Sequence, residues 1–240
     1  MTQATIVADI DSFMDAVVSV DNFGSLERVE TTSLFAGETK LAIDRAIGNF
    51  LLSAIPAGAT IDSAKLVQDI YLVQAGSRAA TLRRCTRPDQ WTELGVTWQD
   101  YDAPADWTDA GGDFTETDKV TFTFPASTGE FSITGLKTLV DDARANRNDI
   151  LAVIIKFDLE GENDGNDRYI WRSSEYATEA ERWRLIVDYT LPLPPDAGRR
   201  SVPRSSFGER ARSARPALPA RTGAGARTAR PSRPAIRRPR

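Results

Sequence analysis

An all-β fold is predicted by three observations. Short apolar runs alternate at period two, clusters of Gly, Pro, Asn and Asp separate them, and only one stretch has helical spacing. From the N-terminus, Met1–Asp9 reads as strand almost at once, and Ala64–Val73 is a second apolar run. Val120-Thr-Phe-Thr-Phe124 alternates apolar residues with Thr, as a half-buried strand does. Thr134 then stands as an N-cap for a helix over about 135–146. Leu136, Leu139, Val140 and Ala143 follow the i, i+3, i+4, i+7 spacing, and Asn146 and Asn148 close it. Ile150-Leu-Ala-Val-Ile-Ile-Lys-Phe157 is almost continuously apolar, as a central core strand is. In Trp183–Tyr189, residues Trp183, Leu185, Val187 and Tyr189 share one face. Turns are marked by Ile55-Pro-Ala-Gly58, Gly111-Gly-Asp113 and Glu160-Gly-Glu-Asn-Asp-Gly165. Many strands with one short helix point to a jelly-roll β-sandwich over residues 1–193, followed by an extended, irregular Arg/Pro-rich arm over 194–240.

Charge divides the chain at the same place. Residues 1–195 hold 17 Lys+Arg against 32 Asp+Glu, a net of −15, whereas residues 196–240 hold 13 Arg against Asp196 and Glu209, a net of +11. Nine of the 13 prolines lie in residues 191–240. Too few large apolar residues remain there to bury a core. As polyproline II the 45 residues after Pro195 would reach about 140 Å at roughly 3.1 Å each. Arg199, Arg200, Arg204, Arg210, Arg212, Arg215, Arg221, Arg227, Arg230, Arg233, Arg237, Arg238 and Arg240 would let such an arm grip acidic protein surfaces through bidentate carboxylate contacts. A solvated tail with codon-biased composition is the plain alternative. Nucleic acid is disfavoured as a partner, because Phe207 is the lone aromatic of this segment and the acidic body would repel phosphates.

The chain has no histidine and one cysteine. That excludes Ser-His-Asp and Cys-His nucleophile pairs, His-based zinc sites and any intrachain disulfide. No run approaches the roughly 18–20 apolar residues of a membrane span. The first residues carry no positive region and no signal-type apolar core, so the expectation is a chain that stays in the cytoplasm or leaves it inside a particle. Cys85 follows Arg83 and Arg84 but lies in a strand-like run, where a buried structural thiol is expected.

Several segments, in order, resemble the DNRLRE-domain family, a jelly-roll sandwich related to carbohydrate-binding modules. They are Ala8-Asp-Ile-Asp-Ser-Phe13 with Asp21-Asn-Phe-Gly-Ser25, the run from Arg45 to Ile61, Thr86-Arg-Pro-Asp-Gln-Trp-Thr-Glu93 with Val96-Thr-Trp98, then Trp107 and Gly111-Gly-Asp-Phe114. Phe131–Leu136, Arg172-Ser-Ser-Glu175 and Arg184–Thr190 complete the set, which covers nearly all of residues 5–190. One departure is Asn49-Phe50-Leu51, where the family commonly has Arg-Phe-Asp. The resemblance implies either an appendage of secreted polysaccharide-active enzymes or a phage structural protein. With no signal-like start and no catalytic neighbour, the second setting is expected: a non-enzymatic virion protein, a capsid decoration or minor tail protein present in several copies, with other virion proteins as partners.

Three groups of residues are candidates for chemistry. Tyr101 and Trp107, in the polar Asp100–Asp113 stretch, are candidates for a glycan or interface contact, whereas Trp91 and Trp98 are expected as core or loop anchors. Asp158, Glu160, Glu162 and Asp164 concentrate oxygens that could hold a structural calcium, although the spacing is not that of an EF-hand and a solvated acidic loop is the plain reading. No other cofactor is expected. Glu93, Asp113 and Glu175 are carboxylates in family-like segments, and no two of them are placed face to face by sequence. The alternative function is a carbohydrate-binding module for surface polysaccharide, host glycan included.

Overall fold

A computed structural model describes residues 1–17, 21, 43–74, 76–160 and 167–192, and the backbone alone of 33–38. The Arg/Pro-rich arm, 194–240, lies outside the described residues. The elements run β1 (Thr2–Val7), β2 (Ile10–Asp15), β3 (Ser33–Glu38), β4 (Ile43–Leu51), β5 (Thr60–Val73), β6 (Arg78–Cys85), β7 (Asp100–Asp102), β8 (Ala105–Asp106), β9 (Phe114–Phe124), β10 (Gly129–Thr134), α1 (Lys137–Asn146), β11 (Ile150–Phe157), β12 (Asp167–Arg172) and β13 (Arg184–Thr190).

The ladders are antiparallel and form an all-β sandwich. One layer is β1-β13-β5, with β10 also on β5; the other is β4-β11-β6-β9, with β2 also on β4. β12 and β3 join them, since β12 pairs with β5 and β3 pairs with both β12 and β4. Period-two alternation decides which side chains meet between the layers. Leu66 and Ile70 of β5, Leu185 and Val187 of β13, Ala46 and Phe50 of β4, Leu82 of β6 and Val153 and Ile155 of β11 form one core. Aromatic rings fill its centre: Phe124 stacks on Tyr169 at 4.3 Å and Trp183 meets Phe50 edge-on at 5.3 Å.

β11 is apolar on both sides because it is buried on both. Leu151, Val153, Ile155 and Phe157 face the core between the layers, while Ala152 and Ile154 belong to a second cluster on the opposite face. The helix also packs as its spacing predicts, with Leu136, Leu139, Val140 and Ala143 in the main core. Its start differs from the sequence reading. Thr134 ends β10, Gly135 turns the chain with φ +88°, and Leu136 is the N-cap, with no side-chain cap. That φ lies in the left-handed region, which the right-handed helix cannot include, so the helix begins at Lys137. At the far end Asn148 and Asp149 take positive φ, as short polar side chains tolerate.

Candidate functional site

The second cluster is built by the segment between β6 and β9. Leaving the sheet at Cys85 and returning at Phe114, residues 86–113 fold as a lid over the outer face of β2, β4 and β11. Trp91 and Trp107 are its anchors, packed with Met14, Ile47, Ala152 and Ile154 beneath them. Both of these indoles are satisfied: Trp91 Nε1 donates to Asn49 Oδ1 at 2.9 Å and Trp107 Nε1 to the Thr97 carbonyl at 3.0 Å. Asn49 in turn donates to the Pro88 carbonyl at 2.7 Å, so it ties sheet to lid.

Arg45 is a second tie. Its Nε and Nη2 donate to both oxygens of Glu160 at 3.0 and 2.7 Å, its Nη1 donates to the Gly111 carbonyl at 2.8 Å, and its guanidinium lies 4.7 Å from the Trp98 ring. The lid can approach this closely because Gly112 has no side chain: with φ +103°, any Cβ there would come within 2.6 Å of Ile154 Cδ1. On the lid's surface, Arg87 donates to Asp113, Gln90 and Thr108 and covers the Tyr101 ring at 4.5 Å. Burial alone would raise Asp113, but hydrogen bonds from Arg87 and from the backbone N–H groups of Asp109 and Thr108 hold it below the usual carboxylate range. A cleft of about 430 Å³ lies over these polar groups, lined by Thr86, Arg87, Gln90, Thr108, Asp109 and Asp113.

At the lid's other margin three carboxyls converge from three parts of the chain: Asp11 of β2, Glu93 of the lid and Glu175 of the β12–β13 connection, with oxygens all within 4.8 Å of one another. Asp11 is 3% exposed and accepts the Ser174 N–H at 2.8 Å. Burial, and then the charges of Glu175 and Glu93, push the Asp11 carboxyl well above its ordinary value. Burial followed by Glu175 pushes Glu93 up to about 7. Like charges this close cannot all ionise unaided. A hydrogen bond between Glu93 and Glu175 adds to the preference of Glu93 for its protonated form.

The sequence candidates have mixed fates. Trp91 is a core anchor, as expected, and Cys85 is buried, its thiol pushed up to about 12 by burial. Trp107 corrects the sequence reading: it is only 5% exposed, because the polar stretch around it folds back onto the sheet and its ring fills the second core. Tyr101 is half-buried, with Trp107 edge-on at 5.7 Å and Arg87 over its face. Of the acidic loop, Asp158 is exposed, and Glu160 is engaged by Arg45 and by Lys156 at 3.0 Å. Glu162 and Asp164 lie outside the described residues. Glu93 and Glu175 do meet, whereas Asp113 is apart from them with Arg87. Asp11 was missed. No local pattern signals the cluster, because its three members lie 82 or more positions apart along the chain. No family model matches this chain, and no curated protein matches it.

Proposed function

We propose that this chain is a non-enzymatic structural protein of a tailed-phage virion, a capsid decoration or minor tail protein. Its β-sandwich is displayed on or between subunits, and its basic C-terminal arm docks onto neighbouring virion proteins. The observation that carries this reading is the charge division: a body of net −15 is joined to an arm of net +11 that has too few large apolar residues to build a core of its own. A segment of that composition gains order by lying on a partner, and its arginines fit carboxylates in pairs. The acidic body disfavours nucleic acid as that partner.

Two features of the described residues support a binding rather than a catalytic role. The lid's aromatics are spent on packing, and Glu93 and Glu175 are hydrogen-bonded to each other, whereas the two carboxyls of a glycosidase stand about 5 Å or more apart. Burial of Trp107 and the packing of Tyr101 against Arg87 and Trp107 weigh against the carbohydrate-module alternative.

The test is deletion of residues 196–240. Full-length and truncated protein are mixed with particles assembled without this chain, and binding is read by co-sedimentation. Binding by the full-length form alone supports the proposal. Equal binding by both forms removes the arm from the anchoring role.

A further inference from the structure

β5 changes partner in mid-strand. β13 pairs with it through Val67, and β12 takes over from Ile70. Gln68 sits at that junction and is 0% exposed. Side chains two apart on a strand share a face, and directly paired residues of antiparallel strands share it too. Gln68 therefore points into the main core with Leu66 and Ile70, and with Trp171, the partner of Ile70. One step beyond the Arg184–Val67 pair brings Trp183 beside Gln68. Trp171 and Trp183 are likewise 0% exposed, and their rings lie 6.0 Å apart at 63°.

These three neighbours hold four buried polar atoms with no hydrogen-bond partner in the protein: Gln68 Nε2 and Oε1, Trp171 Nε1 and Trp183 Nε1. An indole nitrogen only donates, so three of the four are donors and just one accepts. They cannot satisfy one another. Other buried indoles of the chain, those of Trp91 and Trp107, do have protein acceptors. The group that resolves the imbalance must both accept and donate and must be small enough for the interior of a sandwich, which is the chemistry of water.

We propose that ordered water is built into the core at the β5 junction, accepting from the Trp171 and Trp183 indoles and from Gln68 Nε2 and donating to Gln68 Oε1. Such a site pins the point at which β5 passes from one partner to the next, because a slip of one residue would turn Gln68 out of the core and break the bridge.

Water-to-indole cross-relaxation in the ¹⁵N-labelled full chain tests this, with each indole assigned through its Trp→Phe variant. Cross-peaks at the water frequency are expected for the Trp171 and Trp183 Nε1–H groups and not for Trp91 or Trp107. Gln68→Met, which keeps the side-chain length and removes both polar atoms, is expected to abolish the two cross-peaks. Absence of the cross-peaks from the native chain overturns the proposal, as does their persistence unchanged in Gln68→Met. If the variant does not fold, the native spectrum decides alone.

Discussion

At the scale of single residues, the carboxyl cluster makes the sharpest demand. Asp11 and Glu93 hold protons in the fold that the unfolded chain has already released. Stability from such groups is complete at low pH and is lost as pH rises through the folded value, for Glu93 from its ordinary 4.5 to about 7. Asp44 has the same sign: burial outweighs its Arg168 partner and lifts it to about 6. Thermal melts at constant salt are therefore expected to show Tm falling from about pH 5 to about pH 8, with Glu93→Gln flattening the upper part of the fall. A slope that Glu93→Gln leaves untouched would exclude the cluster as its source. Arg45 offers a second test. Arg45→Met removes a bidentate pair, a carbonyl bond and a ring contact while leaving Glu160 with Lys156, so urea melts are expected to show a loss of about 2 kcal/mol. The ionic role of Arg45 was not legible in the sequence, because its partner Glu160 is far away along the chain and belongs to a loop that reads as solvated.

At the scale of elements, period-two alternation was enough to find β13, a nearly continuous apolar run to find β11, and helical spacing to find the buried face of α1. The helix start escaped because a Thr before an apolar run looks the same whether it caps a helix or ends a strand; Gly135 decides which. The lid escaped more fully. Trp107 sits in a polar stretch among Asp, Gly and Pro, and only contact with the cluster around Ile47 and Ile154 makes it core. Trp107→Ala is expected to destabilise by about 3–5 kcal/mol. Because the lid has its own cluster, hydrogen exchange should rise across residues 86–113 while β5 and β13 stay protected. Uniform loss of protection would show lid and sandwich to be one cooperative unit. Gly48→Ala probes the main core: an added Cβ would collide with the Trp183 ring, and denaturant melts are expected to show a cost of about 1–3 kcal/mol.

At the scale of the whole molecule, the proposed docking of a basic arm onto acidic partners predicts a strong salt dependence. Affinity of the full-length chain for its particle should fall as NaCl rises from about 0.05 to about 0.5 M, and binding by the truncated form should be weak throughout. Salt-insensitive binding would point instead to apolar docking by the sandwich. The sequence by itself determined the all-β class, the charge division and the absence of histidine chemistry, since composition and short-range periodicity are local properties that survive any arrangement of the strands. The tertiary structure alone decided that Trp107 is core, that Arg45 latches the lid, and that Asp11, Glu93 and Glu175 share one place. Those facts depend on residues tens to more than a hundred positions apart meeting across a second face of the sheet, and no local pattern records which loop will cover that face.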